Sequence, residues 1–147
     1  MPVTLVIIAI TCVVSVIGFS NPRLVDRLIL WPPAITRSKE YWRLATCGFI
    51  HADVAHLFFN MFTLYFFGGF MERFLVPYIG EIGFVAFYIG GIVLSILPSY
   101  RQHRNDSQYR SLGASGAVSA VLFAFVLLRP WTTIYVFVVP VPAIIFG

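Results

Sequence analysis

Charged side chains are absent from long stretches of this chain. No Asp, Glu, Lys or Arg occurs in Met1 to Pro22, Val54 to Met71, Ile82 to Tyr100, Ser111 to Leu128 or Pro130 to Gly147. Runs of about 17 to 25 such residues match the hydrocarbon thickness of a bilayer. The pattern predicts an all-α fold, a polytopic transmembrane helix bundle with spans over about 2–19, 52–72, 82–98 and 114–128. The first run has no basic residue ahead of it and no small-x-small site behind it, so it reads as a retained helix rather than a cleaved signal. The last run is less regular. Pro140 and Pro142 remove helical donors and turn the residues before them away from helix. Trp131 to Val139 is therefore expected to be an interfacial connector, with a fifth helix starting near Pro142. Such a helix would be cut off at Gly147 after about a turn and a half. The expectation is four full spans and a stub over 141–147, in a chain that is incomplete at its C-terminus.

The segments between the spans change the picture little. Ser20 to Arg43 alternates Leu24, Leu28, Ile29, Leu30 and Trp31 with Arg23, Asp26 and Arg27, and is broken by prolines. Such a segment suits the headgroup interface. Ser99 to Arg110 is polar and reads as a solvated loop. Composition agrees with a membrane protein: 59% of residues are hydrophobic, 11% are charged, and the mean hydropathy is +0.88. A net charge of +4 and a pI near 9.4 suit contact with anionic headgroups. No nucleic-acid-binding pattern is present. Cys12 lies in a span and Cys47 at the edge of another, which argues against a disulfide between them.

Polar residues inside the spans carry the candidate chemistry, because a buried polar group in hydrocarbon needs a partner or a purpose. His51, His56 and Asn60 open the second span, and Ser115 opens the fourth within Gly113-Ala114-Ser115-Gly116. With single crossings these two spans run in the same direction, so all four residues can share one depth. The i, i+4 spacing puts His56 and Asn60 on one helix face. Each also has a simpler reading. Ser115 alone fits back-bonding to its own helix, Gly116-x-x-x-Ala120 fits close helix packing, and His51 fits an interfacial residue. Arg73 and Arg129 read as span terminators.

Taken together, the chain resembles the rhomboid intramembrane serine proteases. The resemblance rests on Glu40-Tyr41-Trp42-Arg43 in the first loop, His51-x4-His56-x3-Asn60, Gly68-Gly69-x-x-Glu72, and Gly113-Ala114-Ser115-Gly116, in that order along nearly the whole chain. It implies a single rhomboid-like membrane domain over 1–147. Ser115 would be the nucleophile, and His56 and Asn60, with the Ser115 backbone N–H, would form the oxyanion hole. Gly113 and Gly116 would let the backbone pass close to substrate and neighbouring helix, and His51 would support the pocket. Trp42, Arg43 and Glu72 would be structural. The implied activity is a serine endopeptidase cleaving transmembrane segments of membrane-protein substrates, without metal or organic cofactor. The implied location is a multi-pass position in the inner membrane of a bacterium.

Two departures qualify that expectation. In the family the general base is a histidine on the sixth helix, and none of His51, His56 and His103 occupies that place. The 147 residues alone are therefore expected to be inactive, and activity to require a downstream helix bearing histidine. Ser119 stands where some members carry an aromatic ring that packs on the base. The alternative is a noncatalytic rhomboid-like protein that binds transmembrane clients. An unrelated transporter is a third class, but no span carries the carboxylate usual for ion coupling, Glu72 being at an end. Orientation is contested within the sequence. Basic residues are concentrated in the first and third loops, which by the positive-inside rule puts the pocket side in the cytoplasm. The family places the N-terminus there and the pocket outside, and that is the orientation expected here.

Overall fold

A computed structural model describes residues 1–136 and 139–145. The chain is mostly helical. The first helix, α1, spans Val3–Ser20. Its buried residues are Val3, Thr4, Ile7, Thr11, Ser15 and Gly18, which recur at helical spacing and so form one inward stripe. Leu5, Val13, Val16 and Ile17 lie on the exposed face, as expected of a helix whose outer side meets lipid.

The segment that follows packs on the bundle as short helices rather than an irregular loop. Helix α2, Pro22–Leu28, starts with proline at its first position and with Asn21 Oδ1 accepting the Leu24 N–H at 3.1 Å. Both features favour a helix start. Helix α3, Pro32–Ser38, ends at Lys39 in the left-handed conformation, φ 57°. A short α4, Arg43–Thr46, leads into a 3₁₀ turn at Cys47–Phe49. Arg43 is buried here. Its Nε donates to Glu40 Oε2 at 2.6 Å, and its Nη1 to the carbonyls of Asp26 at 2.6 Å and Ile29 at 3.0 Å.

Helix α5, Val54–Thr63, passes through a π-helical turn at Leu64–Gly68 into α6, Gly69–Gln102. Gly80, at φ 70° and ψ 173°, interrupts α6, a backbone region open essentially to glycine. The last long helix is α7, Ser115–Leu128. Contacts on either side of Gly80 give the directions of the two arms. Before it, Phe67 and Phe70 each lie 5.0 Å, ring to ring, from Phe125, and His56 lies against Gly113. Numbers rise together along the two chains, so the 54–79 arm runs parallel to α7. After it, Gly91 meets Ala117 while Ser95 meets Gly116, so the 81–102 arm is antiparallel to α7. Small residues allow that approach: a Cβ on Gly91 would lie 3.0 Å from the Ala117 Cα, and one on Gly116 would collide with Ser95 Oγ. Phe84, Tyr88, Ile92, Ala117 and Val121 fill the seam and are at most 1% exposed.

Two helical stretches, Val3–Ser20 and Val54–Gln102, are long and apolar enough to cross a membrane. The second holds two of the expected spans in one run of 49 residues. Helix α7 is apolar but has 14 residues, about 21 Å of helix against a hydrocarbon core of about 30 Å.

The C-terminal part corrects the all-α expectation. Instead of a connector and a helical stub, strands β1, Thr133–Val136, and β2, Val139–Pro142, pair antiparallel, with Thr133 opposite Pro142 and Val136 opposite Val139. A single 3₁₀ turn follows at Ala143–Ile145, and residues 146 and 147 of the expected stub lie outside the described residues. The β-branched run of Thr133, Ile134, Val136, Val139 and Val141 favours strand over helix. Pro140 and Pro142 are two residues apart, so both can face the same outer edge of a two-stranded ribbon, where no ladder donor is needed.

One further contact ties the bundle together. The Glu72 carboxylate takes the Val3 N–H at 2.6 Å on Oε1 and the Thr4 N–H at 2.8 Å on Oε2. These are donors that a helix leaves without partners in its first turn, and the carboxylate also complements the positive end of α1. Glu72→Ala is expected to destabilise the protein by about 2–4 kcal/mol, since it strands both donors. Glu72→Gln keeps one acceptor and should lose about half of that. Thermal unfolding in detergent micelles measures both.

Candidate active site

Local rules position the residues of the site. Asp53 Oδ1 accepts the His56 N–H at 2.7 Å and starts α5, as a short polar N-cap does. One turn further on, Asn60 Nδ2 donates to the His56 carbonyl at 2.9 Å. That bond uses one of its two amide hydrogens and leaves the other. Asn60 is buried at 8% exposure, and His56 is half-buried.

On the facing side, the turn before α7 is held from below. Ser111 pairs with Leu30 through both backbone bonds, the Gly113 N–H donates to the Cys47 carbonyl at 2.8 Å, and the Ala114 N–H donates to His51 Nε2 at 3.3 Å. Gly113 adopts φ 114°, and a Cβ there would sit 2.8 Å from His56 Cε1 and 3.2 Å from Nε2. The backbone of the turn thus lies directly against the His56 ring. The His51 and His56 rings meet edge to face with centroids 4.9 Å apart.

Ser115 is the first residue of α7, and its side chain is exposed. Among the described residues no side chain caps this helix start, so the first N–H groups of α7 are open to a developing negative charge. Among the described residues the Ser115 hydroxyl makes no hydrogen bond. The structure therefore brings His56 and His51 to Gly113 and Ala114, the residues just before Ser115, and packs Gly116 against Ser95. It does not join Ser115 to a histidine. His103 stands apart, stacked on Tyr109 at 3.9 Å between ring centroids in the loop after α6.

A cavity of about 400 Å³ opens beside His51, lined also by Gly18, Asp26, Ile29, Arg110 and Leu112. Burial, reinforced by His56 nearby, pushes His51 down to about 4. A histidine whose pKa falls below its unfolded value contributes stability above about pH 6.5, and that contribution is lost as the pH falls from there towards 4. His51 is therefore neutral at physiological pH.

Sequence reasoning missed Ser15, which contacts His51 from α1, and Asp53, which starts α5. The signal for Ser15 was present: Thr4, Ile7, Thr11, Ser15 and Gly18 recur every three or four residues and mark the inward face of α1.

The Rhomboid domain family matches residues 38–147. The chain is 34% identical over 123 residues to RHOMBOID-like protein 12, mitochondrial, of Arabidopsis thaliana, a match covering 76% of this chain and 37% of that protein. It is 38% identical over 92 residues to RHOMBOID-like protein 4 of the same plant, covering 60% and 21% respectively. It is 29% identical over 133 residues to the putative rhomboid protease YdcA of Bacillus subtilis, covering 86% and 62%. The matches span between about a fifth and three fifths of these relatives' lengths. With plant proteins, one of them named as mitochondrial, beside a bacterial one, the bacterial inner membrane expected from the sequence gains no support.

Proposed function

Because the chain belongs to the rhomboid family, whose members are integral membrane proteins, we propose that it forms the nucleophile-bearing part of an intramembrane serine endopeptidase. α1, the two arms of 54–102 and α7 are its four crossings. The observation that carries this reading is the turn at Gly113–Ser115, seated on the His56 ring and opening an uncapped helix start.

Ser115 Oγ attacks the carbonyl carbon of a peptide bond in a substrate helix and passes its proton to a base. The base is a histidine on a further helix outside these 147 residues. His51 cannot serve, because both of its ring nitrogens are already engaged, by Ser15 and by Ala114. The oxyanion gathers bonds from the Ser115 N–H, the His56 ring N–H and the free Asn60 amide hydrogen. In a dry site, donors aimed in advance at that charge stabilise the transition state strongly. Collapse of the intermediate breaks the C–N bond, and the base returns its proton to the leaving amine. Water then hydrolyses the acyl-serine.

Labelling with a serine-directed fluorophosphonate, alongside cleavage of a single-span substrate in micelles, tests this on protein that carries the base-bearing helix. Labelling is expected at Ser115 and is lost in Ser115→Ala. His56→Ala and Asn60→Ala are each expected to lower kcat by about 10²–10³ with little change in KM, as for loss of an oxyanion donor. The unbonded Ser115 hydroxyl favours a second reading, a noncatalytic binder of transmembrane clients. Binding of a transmembrane peptide that is unchanged by Ser115→Ala, with no labelling of the wild-type protein, would establish that reading instead.

A further inference from the structure

Ser15 is a buried hydroxyl that the proposed chemistry leaves unused. It lies within α1 at 1% exposure. A serine there ordinarily bonds back to the carbonyl one turn earlier, as Thr11 does to the Ile7 carbonyl at 2.7 Å. Ser15 instead reaches out of its helix. Its Oγ is 3.0 Å from the Phe49 carbonyl oxygen and 3.0 Å from His51 Nδ1. On the far side of the same ring, the Ala114 N–H points at Nε2 from 3.3 Å.

Only one proton arrangement satisfies these three contacts. A backbone N–H can only donate, so Nε2 carries no proton and the ring is the neutral Nδ1–H tautomer. Nδ1–H then donates to Ser15 Oγ, and the serine's own proton goes to the Phe49 carbonyl, which can only accept. We infer that Ser15 and His51 form a positioning relay for the nucleophile turn: Ser15 fixes the tautomer of His51, and His51 Nε2 holds the Ala114 N–H, one residue before Ser115.

The other tautomer, or an imidazolium, would set an N–H of the ring against the N–H of Ala114. The groups around the ring are His56, edge-on from α5, Asp53 from the turn between, and Asp26 and Arg110 across the cavity. Burial nevertheless favours the neutral form, which the relay requires. The relay anchors a turn that also depends on Gly113 and Cys47, so its loss should shift Ser115 rather than unfold the protein. Its consequence for reactivity rests on the reading of Ser115 as nucleophile, whereas the tautomer lock does not.

Nitrogen-15 NMR of histidine-labelled protein in micelles reads the tautomer directly, with His51→Gln identifying the signal. The wild-type spectrum is expected to show His51 only as Nδ1–H at about pH 7. Ser15→Ala is expected to give a mixture of tautomers, and Ser15→Thr, which keeps the hydroxyl, to restore the single form. Fluorophosphonate labelling of Ser115 should slow by about ten- to a hundredfold in Ser15→Ala, as for a small misplacement of a reacting group, and recover in Ser15→Thr. A wild-type Nε2–H tautomer overturns the relay, and that measurement needs no variant to fold. A lock unchanged in Ser15→Ala, or a lock lost with no change in labelling rate, also overturns it. A locked tautomer in a wild-type protein that never labels would instead remove the nucleophile reading and leave the Ser15–His51 lock standing.

Discussion

Gly113→Ala is expected to abolish labelling of Ser115 and to destabilise the protein by about 2–6 kcal/mol, the sum of a left-handed backbone forced on alanine and an overpacked contact. Both terms come from the same atom. At φ 114° a Cβ is strained whatever surrounds it, and here it would also press on His56 Cε1 at 2.8 Å. Neither side can yield easily. The turn is tied to Cys47 and His51 through its backbone N–H groups, and His56 is fixed by the Asp53 cap on its own N–H. Gly90→Ala is the matched control. A Cβ there meets nothing among the described residues within 4 Å, and replacing glycine inside a helix should stabilise by about 0.5–1 kcal/mol. Thermal unfolding and labelling of the two variants side by side decide the matter. A Gly113→Ala protein as stable and as reactive as the wild type would mean that the turn does not lie on His56.

Arg43→Ala is expected to be the most damaging change outside the site, costing about 3–5 kcal/mol, as removal of one partner of a buried charged pair does. The guanidinium does two things at once. It neutralises Glu40, and it closes the C-terminal end of α2 by bonding the Asp26 and Ile29 carbonyls, groups that a helix end leaves unpaired. Lysine carries the charge but lacks the planar fork, so Arg43→Lys should recover only a minor part of the loss. Glu40→Gln should cost less, about 1 kcal/mol, since that side chain is 25% exposed and the carbonyl bonds survive. The midpoint of thermal unfolding in micelles ranks the three variants. Equal midpoints for Arg43→Ala and the wild type would deny the guanidinium its structural role.

The sequence made the helices legible because a bilayer imposes a coarse rule: charge gaps of helical length mark them, and α1, both arms of 54–102 and α7 lie where those gaps are. It also made legible which ends of two helices meet. Parity put His56 and Ser115 at the same end of two like-directed helices, and the contacts of His56 with Gly113 and of Phe67 and Phe70 with Phe125 show those helices running parallel. Partnerships that depend on a neighbour were not legible. Ser15 was read as part of an apolar run, although it chooses Phe49 and His51 over its own helix. The prolines at 140 and 142 were read as helix breakers, which was correct. Their meaning for strand pairing depends on a facing segment, which a local pattern does not contain. Gly80 gave no signal beyond being a glycine next to Glu81, because its left-handed φ is a property of the reversal as a whole.

The π-helical turn at Leu64–Gly68 has a consequence for everything on either side of it. A regular helix advances about 100° per residue, and a π turn spends an extra residue on one circuit. That surplus is taken up within the turn, so that His56 at one end of the arm faces Gly113 while Glu72 at the other faces the first N–H groups of α1. Deleting one residue between 64 and 68 would let the arm wind regularly with its two ends still in phase, whereas winding the same residues as regular α-helix would swing one end about 100° relative to the other. Wound that way the arm could meet the first N–H groups of α1 with Glu72 or the Gly113 turn with His56, but not both, so it is the π winding, more than the number of residues, that this stretch must keep.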